Sequence, residues 1–448
     1  MSAPTVLFAI LPEGGHLNPT WKVARGLRAR GFSVRYLLPE DLRATAEAQG
    51  FTVDGLFPDL FPRGYAAAEE ALGTLDRRRS ITSRYAAVLQ RLERAPTLVR
   101  GQPLPDLLVV DVTQPQFAFW ARKNAVPFVY LNTSLPQTRD PGIPPLRSAT
   151  LPATDLTSRL RVDLEWRQFL ARRTWSARAA QMGGMQPPYD LARAAAPAFG
   201  IRADELDCDT VYMPQLKGVK ELVLCPRAID FARSSDGDGR REYVESVDLS
   251  RGEPPFAFDR LREDKPLVYC AMGTTRYRAE DVTPFLQRLV RVFRARPEWQ
   301  LVLAWNRYGR AEDFRDAPPN VLAVERAPQL GLLKRAQVMV THGGLGSVKE
   351  ALAHGVPMLG LPLAVDQPGN VARVVHHGVG LREDVVRSSE ADLREALSRL
   401  LSQPLFSQRA RAMRAEIERT EAGTRGVDAL AAAATEAMEE KQRGLAAR

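Results

Sequence analysis

Short apolar runs alternate with helical patterns twice along this chain, and no other feature restricts its fold as strongly. The first series consists of the runs TVLFAILP (5–12), SVRYLLP (33–39), DLLVVDV (106–112) and PFVYLNTS (127–134). Continuous apolar runs of this length are typical of parallel strands that are buried on both faces of a sheet. Because helical patterns separate the runs, the series predicts a doubly wound α/β domain.

A second series of apolar runs has the same rhythm. Its members are PLVYCAMG (266–273), WQLVLAW (299–305), NVLAVE (320–325), QVMV (337–340) and VPMLGLPL (356–363). The chain of 448 residues also exceeds the roughly 250–300 residues beyond which one hydrophobic core tends to split. The sequence therefore predicts two Rossmann-like domains in series.

Composition along the chain sets the predicted domain boundaries. Residues 234–255 contain many polar residues, glycines and prolines and few apolar residues, as expected of a linker. The predicted division is an N-terminal domain at 1–233, an interdomain linker at 234–262, a C-terminal domain at 263–424 and a helix at 425–448 that can pack back on the first domain.

Charge and cysteine content argue against several classes of protein. The net charge is +9, but there is no zinc-finger spacing, aromatic RNP-type strand or long basic run, so nucleic-acid binding is not expected. The three cysteines are widely spaced, which argues against a disulfide framework and a zinc site. The N-terminus resembles a strand more than a signal peptide, and no apolar stretch reaches the roughly 18 residues of a membrane span. We expect a cytoplasmic protein that is at most peripheral to membranes.

The junction after QVMV has the sequence THGGLGSVKE (341–350), with a histidine and three glycines ahead of a helix. Glycines let the backbone approach a ligand closely, and the free N–H groups of a helix N-terminus favour an anion such as phosphate. His342 and Ser347 can add hydrogen bonds to phosphate oxygens, and Glu350, one turn into the helix, suits a ribose diol. The alternative is a tight turn whose glycines serve packing alone.

A second loop follows in GVPMLGLPLAVDQPGN (355–370), where a strand ends at a loop that carries Asp366 and Gln367. These adjacent polar groups can hold neighbouring hydroxyls. Phosphate, ribose and polyol recognition thus fall within the 30 residues of 341–370, and this combination indicates a nucleotide sugar.

The segment 326–370 resembles the donor signature of the UDP-glycosyltransferase superfamily, which includes natural-product glycosyltransferases of the GT-B fold. That fold has two Rossmann-like domains that face each other across a cleft. The resemblance implies donor-binding roles for a set of residues, almost all in the second domain: Thr133, Gly273, Thr274, Arg326, Ala327, Gln329, His342, Gly344, Gly346, Ser347, Glu350, Asp366 and Gln367.

Within that set, the resemblance implies that the diphosphate contacts His342, Gly344 and Ser347 and that Glu350 binds the ribose. Asp366 with Gln367 would bind the sugar hydroxyls.

The base would lie along the segment from Ala327 to Gln329. Many relatives have a tryptophan stacked on uracil where this chain has Arg326. A guanidinium also stacks on a base, so thymine stays open as an alternative to uracil.

The segment LPEGGHLNPT (11–20) follows the first strand and matches the superfamily's N-terminal histidine motif. The resemblance implies that His16 is the general base. A position just before a helix N-terminus favours neutral imidazole, the form that accepts a proton. Asp111 ends its strand at the same sheet edge, where an Asp–His dyad would fix the tautomer. The alternatives are a structural hydrogen bond for His16 and helix capping for Asp111.

These features predict an inverting, UDP-dependent hexosyltransferase without a tightly bound cofactor. A UDP-hexose, with glucose as the favoured sugar and a dTDP-sugar as the alternative donor, would glycosylate a hydroxyl of a hydrophobic small molecule. The resemblance implies a secondary metabolite such as a polyketide, macrolide or terpenoid. No metal is expected, because His342 and the helix N-terminus face the diphosphate.

Two other functions stay open: a nucleotide-sugar epimerase or hydrolase, and a non-catalytic auxiliary protein that binds a nucleotide sugar.

Overall fold

The computed structural model describes residues 3–99, 101–234, 239–273 and 279–446. Its strands are β1 (Thr5–Ala9), β2 (Ser33–Leu38), β3 (Thr52–Gly55), β4 (Leu107–Asp111), β5 (Phe128–Asn132), β6 (Leu206–Asp207), β7 (Gln215–Leu216), β8 (Glu221–Val223), β9 (Arg241–Tyr243), β10 (Leu267–Ala271), β11 (Gln300–Ala304), β12 (Val321–Val324), β13 (Val338–Thr341), β14 (Met358–Gly360) and β15 (Gly380–Arg382).

The helices are α1 (Gly14–Leu17), α2 (Thr20–Ala29), α3 (Arg43–Glu47), α4 (Tyr65–Glu70), α5 (Thr74–Arg94), α6 (Pro115–Lys123), α7 (Leu156–Met182), α8 (Pro188–Ala195), α9 (Ala279–Arg294), α10 (Gln329–Leu333), α11 (Leu345–Ala353), α12 (Gln367–His376), α13 (Glu390–Ser402), α14 (Pro404–Glu421) and α15 (Arg425–Ala446).

Two large parallel sheets organise the chain. Strand order is β3-β2-β1-β4-β5-β8-β9 in the first sheet and β12-β11-β10-β13-β14-β15 in the second. Adjacent strands pair in parallel, and every apolar run singled out in the sequence forms one of these strands. The predicted α/β architecture of two Rossmann-like, doubly wound domains is therefore confirmed.

Four strands of these sheets have no counterpart among the apolar runs, namely β3, β8, β9 and β15. Each has only three or four residues and includes at least one charged side chain, so none of them forms an apolar run. The strand β9 lies inside the predicted linker 234–262, so that range was too wide and the first sheet extends to Tyr243. Arg241 pairs with Glu221 of β8 at 2.8 Å, which explains why this edge strand is charged.

Both faces of the first sheet are covered by helices, which bury its apolar side chains. Helices α2 and α15 cover one face, and α5 and α6 cover the other. The two helices of the first face touch closely, since a Cβ at Gly26 would lie 2.4 Å from a methyl group of Val427. The C-terminal helix thus lies on the N-terminal domain, and the burial that this contact provides stabilises the fold at about 25 cal/mol per Å² of apolar surface.

The two sheets also share one hydrophobic cluster, which includes Leu135 and Tyr243 from the first domain and Met339 and Leu345 from the second. Across the described ranges, no helix combines the length and the apolar character needed to cross a bilayer.

Candidate active site

The strand order of each large sheet reverses at one place, and candidate site residues follow the strands on both sides of it. In the first sheet these strands are β1 and β4, with His16 just beyond β1 and Asp111 ending β4. In the second sheet they are β10 and β13, followed by Gly273 and His342. Ligands of doubly wound sheets bind in the crevice at such a reversal. The fold therefore brings the predicted residues to the two places where a ligand is expected.

His16 and Asp111 form a hydrogen-bonded pair. His16 Nδ1 lies 2.8 Å from Asp111 Oδ2, and the carboxylate is fully buried while the imidazole is 22% exposed. The other carboxylate oxygen accepts hydrogen bonds from the backbone N–H and the hydroxyl of Thr113, at 2.9 and 2.7 Å. Because Nδ1 faces a carboxylate, it carries the proton, and Nε2 is the nitrogen that can accept one.

The electrostatics of His16 differ from the expectation. His16 lies in the last turn of the short helix α1 and four residues ahead of α2, as predicted, but its pKa does not follow the dipole of that helix. Burial alone would lower its pKa, but the charge and hydrogen bond of Asp111 outweigh burial and raise the pKa above its ordinary value. Burial would likewise raise the pKa of Asp111, and the imidazolium of His16 lowers it instead. The pair therefore stabilises the charged imidazole more than water does, and only the neutral form of the ring can act as a base.

Two consecutive residues after β5 connect the first domain to the second. Thr133 Oγ1 lies 2.6 Å from His16 Nδ1, and the hydroxyl of Ser134 donates to Asp366 Oδ2 at 3.0 Å. The charge of Asp366 also contributes to the raised pKa of His16. The imidazole and the predicted sugar-binding carboxylate thus lie on the two sides of one cleft.

The glycines of the 341–350 loop serve different purposes. Gly343 has a φ of +80°, and a Cβ there would lie 2.3 Å from Val371, so packing requires glycine. A Cβ at Gly344 would lie 2.5 Å from the ring of His342. At Gly346, in the first turn of α11, a Cβ would meet no atom within 4 Å. Packing therefore explains the first two glycines, whereas the open space at the third suits the approach of a ligand.

His342 lies against both loops of the second crevice. Burial lowers its pKa to about 4, although a hydrogen bond with the Ala271 carbonyl opposes that shift. Gly273, with a φ of +86°, leaves room for the ring, because a Cβ there would lie 2.6 Å from it. At neutral pH this histidine is uncharged, and its single ring N–H donates to the Ala271 carbonyl, so His342 brings no positive charge to the crevice.

The predicted ribose residue, Glu350, is buried on α11 and already has protein partners. Arg251 of the linker donates to both carboxylate oxygens, and Gln329 Nε2 donates to Oε2 at 2.6 Å. Ser347, one turn earlier, is half-buried at the N-terminal end of the same helix.

The two predicted sugar-binding residues, Asp366 and Gln367, lie in different environments. Asp366 is half-buried and accepts from Ser134 and from Asn370 Nδ2, the latter at 3.1 Å. Gln367 is buried, and its amide oxygen accepts from the backbone N–H groups of residues 363 and 364. Val365, just ahead of the pair, has a φ of +57°, an unfavourable conformation for a β-branched residue. Such local strain is typical of functional sites.

The remaining predicted positions lie at the margin of the site or beyond the description. Arg326 is exposed just after β12, and Ala327 is half-buried against the shared hydrophobic cluster. Thr274 falls outside the described residues. Within the described ranges, no three His, Cys, Asp or Glu side chains are grouped as metal ligands would be.

Sequence reasoning missed several residues that shape the site, namely Thr113, Ser134, Arg251 and Asn370. Local signals existed for three of them: a threonine two residues after Asp111, a serine beside Thr133, and an asparagine one helical turn after Asp366. Arg251 has no such signal, because its partner Glu350 is 99 residues away in the sequence.

Known proteins match this chain at both the sequence and the structural level. The family described as UDP-glucoronosyl and UDP-glucosyl transferase matches residues 302–416. Oleandomycin glycosyltransferase from Streptomyces antibioticus is 28% identical over 98% of this chain and 93% of its own length. The 4′-demethylrebeccamycin synthase from Lentzea aerocolonigenes is 26% identical over 94% of this chain and 98% of its own.

Solved structures show the same architecture. The kitacinnamycin glycosyltransferase superimposes with a TM-score of 0.70 at 24% identity, over 96% of this chain and 99% of that one. The calicheamicin glycosyltransferase CalG4 gives a TM-score of 0.65 over 97% of this chain. The fold, the position of the site and the sequence relatives together support a glycosyltransferase of GT-B fold from the UDP-glycosyltransferase superfamily.

Proposed function

We propose that the protein is an inverting glycosyltransferase that moves a hexose from a nucleoside diphosphate sugar to a hydroxyl of a hydrophobic secondary metabolite. UDP-glucose is the proposed donor, and a dTDP-hexose is the alternative. The observation that carries this proposal is the link from His16 through Thr133 and Ser134 to Asp366. It sets a proton acceptor opposite the residue proposed to hold the sugar.

In the proposed reaction His16 Nε2 removes the proton of the acceptor hydroxyl as its oxygen attacks the anomeric carbon. The bond from that carbon to the diphosphate breaks, and the nucleoside diphosphate leaves with the electron pair. A single displacement inverts the anomeric centre. Asp111 stabilises the imidazolium that forms and keeps Nδ1 protonated throughout. Because the protonated Nδ1 is the donor in its contact with Thr133 Oγ1, the Thr133 hydroxyl keeps its own proton. That hydroxyl can then donate a hydrogen bond to the nucleotide sugar.

The N-terminus of α11 supports the proposed binding of the leaving diphosphate. Its first N–H groups and the hydroxyl of Ser347 can donate to phosphate oxygens, and the helix dipole favours their charge. These groups act on the charge that grows as the glycosidic bond breaks, so they favour the transition state over the bound donor. The proposal requires no metal ion.

The open side of the first crevice supports an acceptor beside His16. A Cβ at Gly14 or Gly15 would meet no atom within 4 Å, so neither glycine is needed for packing. The sequence relatives include a glycosyltransferase named for oleandomycin and one named for zeaxanthin, and the solved relatives include a spinosyn rhamnosyltransferase in complex with its aglycone. We extend from these names the proposal of a hydrophobic secondary metabolite as acceptor.

Mass spectrometry of reactions that pair UDP- and dTDP-hexoses with a library of hydrophobic alcohols and phenols tests the function. We expect a hexosylated product and free nucleoside diphosphate in equal amounts. The same donors without acceptor form the control. Rapid release of nucleotide there, or a changed sugar, would favour the hydrolase or epimerase. Donor binding without turnover across the library would favour the auxiliary protein.

The raised pKa of His16 predicts how activity depends on pH. As a base, His16 must be neutral, so kcat/KM should fall as the pH drops through its pKa. Asp111→Asn removes the charge that raises this pKa, so the acidic limb should move to lower pH. His342, with a pKa of about 4, is neutral on both sides of this limb and does not produce it.

Asp111→Asn should also lower kcat/KM at the pH optimum by about 10²-fold, because the amide no longer fixes the tautomer of His16 or stabilises its imidazolium. Asp106→Asn is the matched control. Asp106 precedes the same strand at its opposite end, where it accepts from the N–H of Thr5 at 2.9 Å. Its pH profile should stay as in the wild type. An acidic limb that moves equally in both variants would contradict the role of Asp111.

A further inference from the structure

An arginine from the interdomain linker is hydrogen-bonded to Glu350, the carboxylate proposed to bind the ribose. Arg251 Nη1 donates to Glu350 Oε1, and Nη2 donates to Oε2 at 2.8 Å. Gln329 Nε2 donates to the same Oε2 at 2.6 Å. These two side chains cover the carboxylate, which is 11% exposed, while the guanidinium side chain itself is 28% exposed. Arg251 therefore competes with a bound ribose for hydrogen bonds to Glu350.

The hydrogen-bonding capacity of Glu350 limits what it can still accept. A carboxylate offers about four lone-pair positions. The pair with Arg251 uses one on each oxygen, and Gln329 uses the second on Oε2. One position on Oε1 is left. A ribose presents two neighbouring hydroxyls, whereas a 2′-deoxyribose presents one.

The linker holds Arg251 firmly in this place. Glu253, two residues later, accepts from the backbone N–H groups of Leu330 and Gly331 at 2.6 and 2.8 Å, which fixes the linker against the start of α10. Tyr269 donates to the amide oxygen of Gln329 at 3.4 Å and so turns the amide nitrogen towards Glu350. A two-pronged, charge-assisted pair of this kind is stronger and more directional than an ordinary surface contact.

We propose that Arg251 is a specificity-determining residue, which competes with the ribose 2′-hydroxyl for Glu350 and makes the donor site tolerant of 2′-deoxyribose. The inference rests on the proposed function, since it assumes that Glu350 faces the sugar of the nucleotide. With Arg251 in place, the one free position on Oε1 serves the 3′-hydroxyl that both sugars carry, so the 2′-hydroxyl gains no charged acceptor. The ribose or deoxyribose then makes little difference to the affinity for UDP- and dTDP-sugars. Any preference between the two donors comes from contacts with the base and with the hexose.

Calorimetric titration with UDP and dUDP isolates this effect, because the two nucleotides differ only in the 2′-hydroxyl. In the wild type we expect their dissociation constants to agree within about threefold. Arg251→Met frees two lone pairs of Glu350, so UDP should then bind about tenfold more tightly than dUDP, as expected for one hydrogen bond to a charged acceptor. Adding Glu350→Gln to Arg251→Met should remove most of that preference.

The control is Arg262→Met, which removes another linker arginine that pairs with an acid, here the exposed Asp264. Its UDP to dUDP ratio should equal the wild-type ratio. A tenfold preference for UDP in the wild type, or an unchanged ratio in Arg251→Met, would overturn the inference and leave the proposed function intact. If neither nucleotide binds the wild type, the proposed function itself fails. Arg251→Lys, whose single ammonium cannot bridge both oxygens, should give an intermediate ratio.

Discussion

His16→Ala should lower kcat/KM for glycosyl transfer by about 10³-fold, within the range that a positioned general base contributes. The substitution removes the proposed proton acceptor and leaves the second domain unchanged. Binding of the nucleoside diphosphate, measured by titration, should therefore stay within about twofold of the wild type. Steady-state kinetics with a fixed acceptor, together with that titration, separates the loss of chemistry from a loss of donor binding.

A second variant is needed because Asp111 is fully buried and alanine would leave it without its cation. His16→Asn places an amide N–H near the position of Nδ1 and can keep the hydrogen bond to Asp111, but it cannot take up a proton. It should be as inactive as His16→Ala while unfolding at the wild-type temperature. If His16→Asn retained more than about a tenth of the wild-type rate, the imidazole would have a structural role and another group would act as the base.

The parts of the molecule that could be predicted from the sequence are those encoded in neighbouring residues. An apolar run of four or five residues indicates a buried strand, so β1 and β13 and the loops after them could be predicted. The positions of His16 and Asp111 followed, because parallel strands end at a common sheet edge. Very short strands such as β9 were not visible, since three residues with two charges carry no periodic signal.

Properties that depend on the packing of distant segments could not be predicted. The direction of the His16 pKa shift was misjudged because the prediction rested on the dipole of the nearby helix, and the distance to Asp111 was not known. The second linkage, from Ser134 to Asp366, joins residues 232 positions apart. Arg251 stands in a polar segment whose composition indicates only a linker. In each case the tertiary fold sets the partner, and proximity in the sequence does not connect the two residues.

The relative placement of the two domains, on which the His16–Asp366 arrangement depends, rests partly on a buried ionic cluster. Asp230, between β8 and β9, accepts from Arg233 Nε at 2.7 Å and from Arg373 Nε of α12 at 2.8 Å. All three side chains are at most 2% exposed. Burial raises the pKa of Asp230, but the two guanidinium groups outweigh burial and hold it well below its ordinary value.

Asp230→Ala should lower the free energy of unfolding by about 3–5 kcal/mol, because it leaves two buried cations without their shared counter-ion. For a domain of this size the thermal midpoint should fall by about 10 °C, measured by calorimetry or circular dichroism. Adding Arg373→Met to Asp230→Ala should restore part of the loss, since it removes one of the unpaired charges, and the two effects should be clearly non-additive.

Asp204→Ala is the matched control, because Asp204 pairs with Arg202 at the surface, where both side chains are more than 70% exposed. Its thermal midpoint should equal that of the wild type. Should Asp230→Ala unfold at the same temperature as this control, the cluster would contribute nothing to the docking of the domains. If Asp230→Ala is destabilised as expected, it should also lose activity at temperatures below its thermal midpoint. A loosened interface no longer holds the imidazole of the first domain opposite the sugar site of the second.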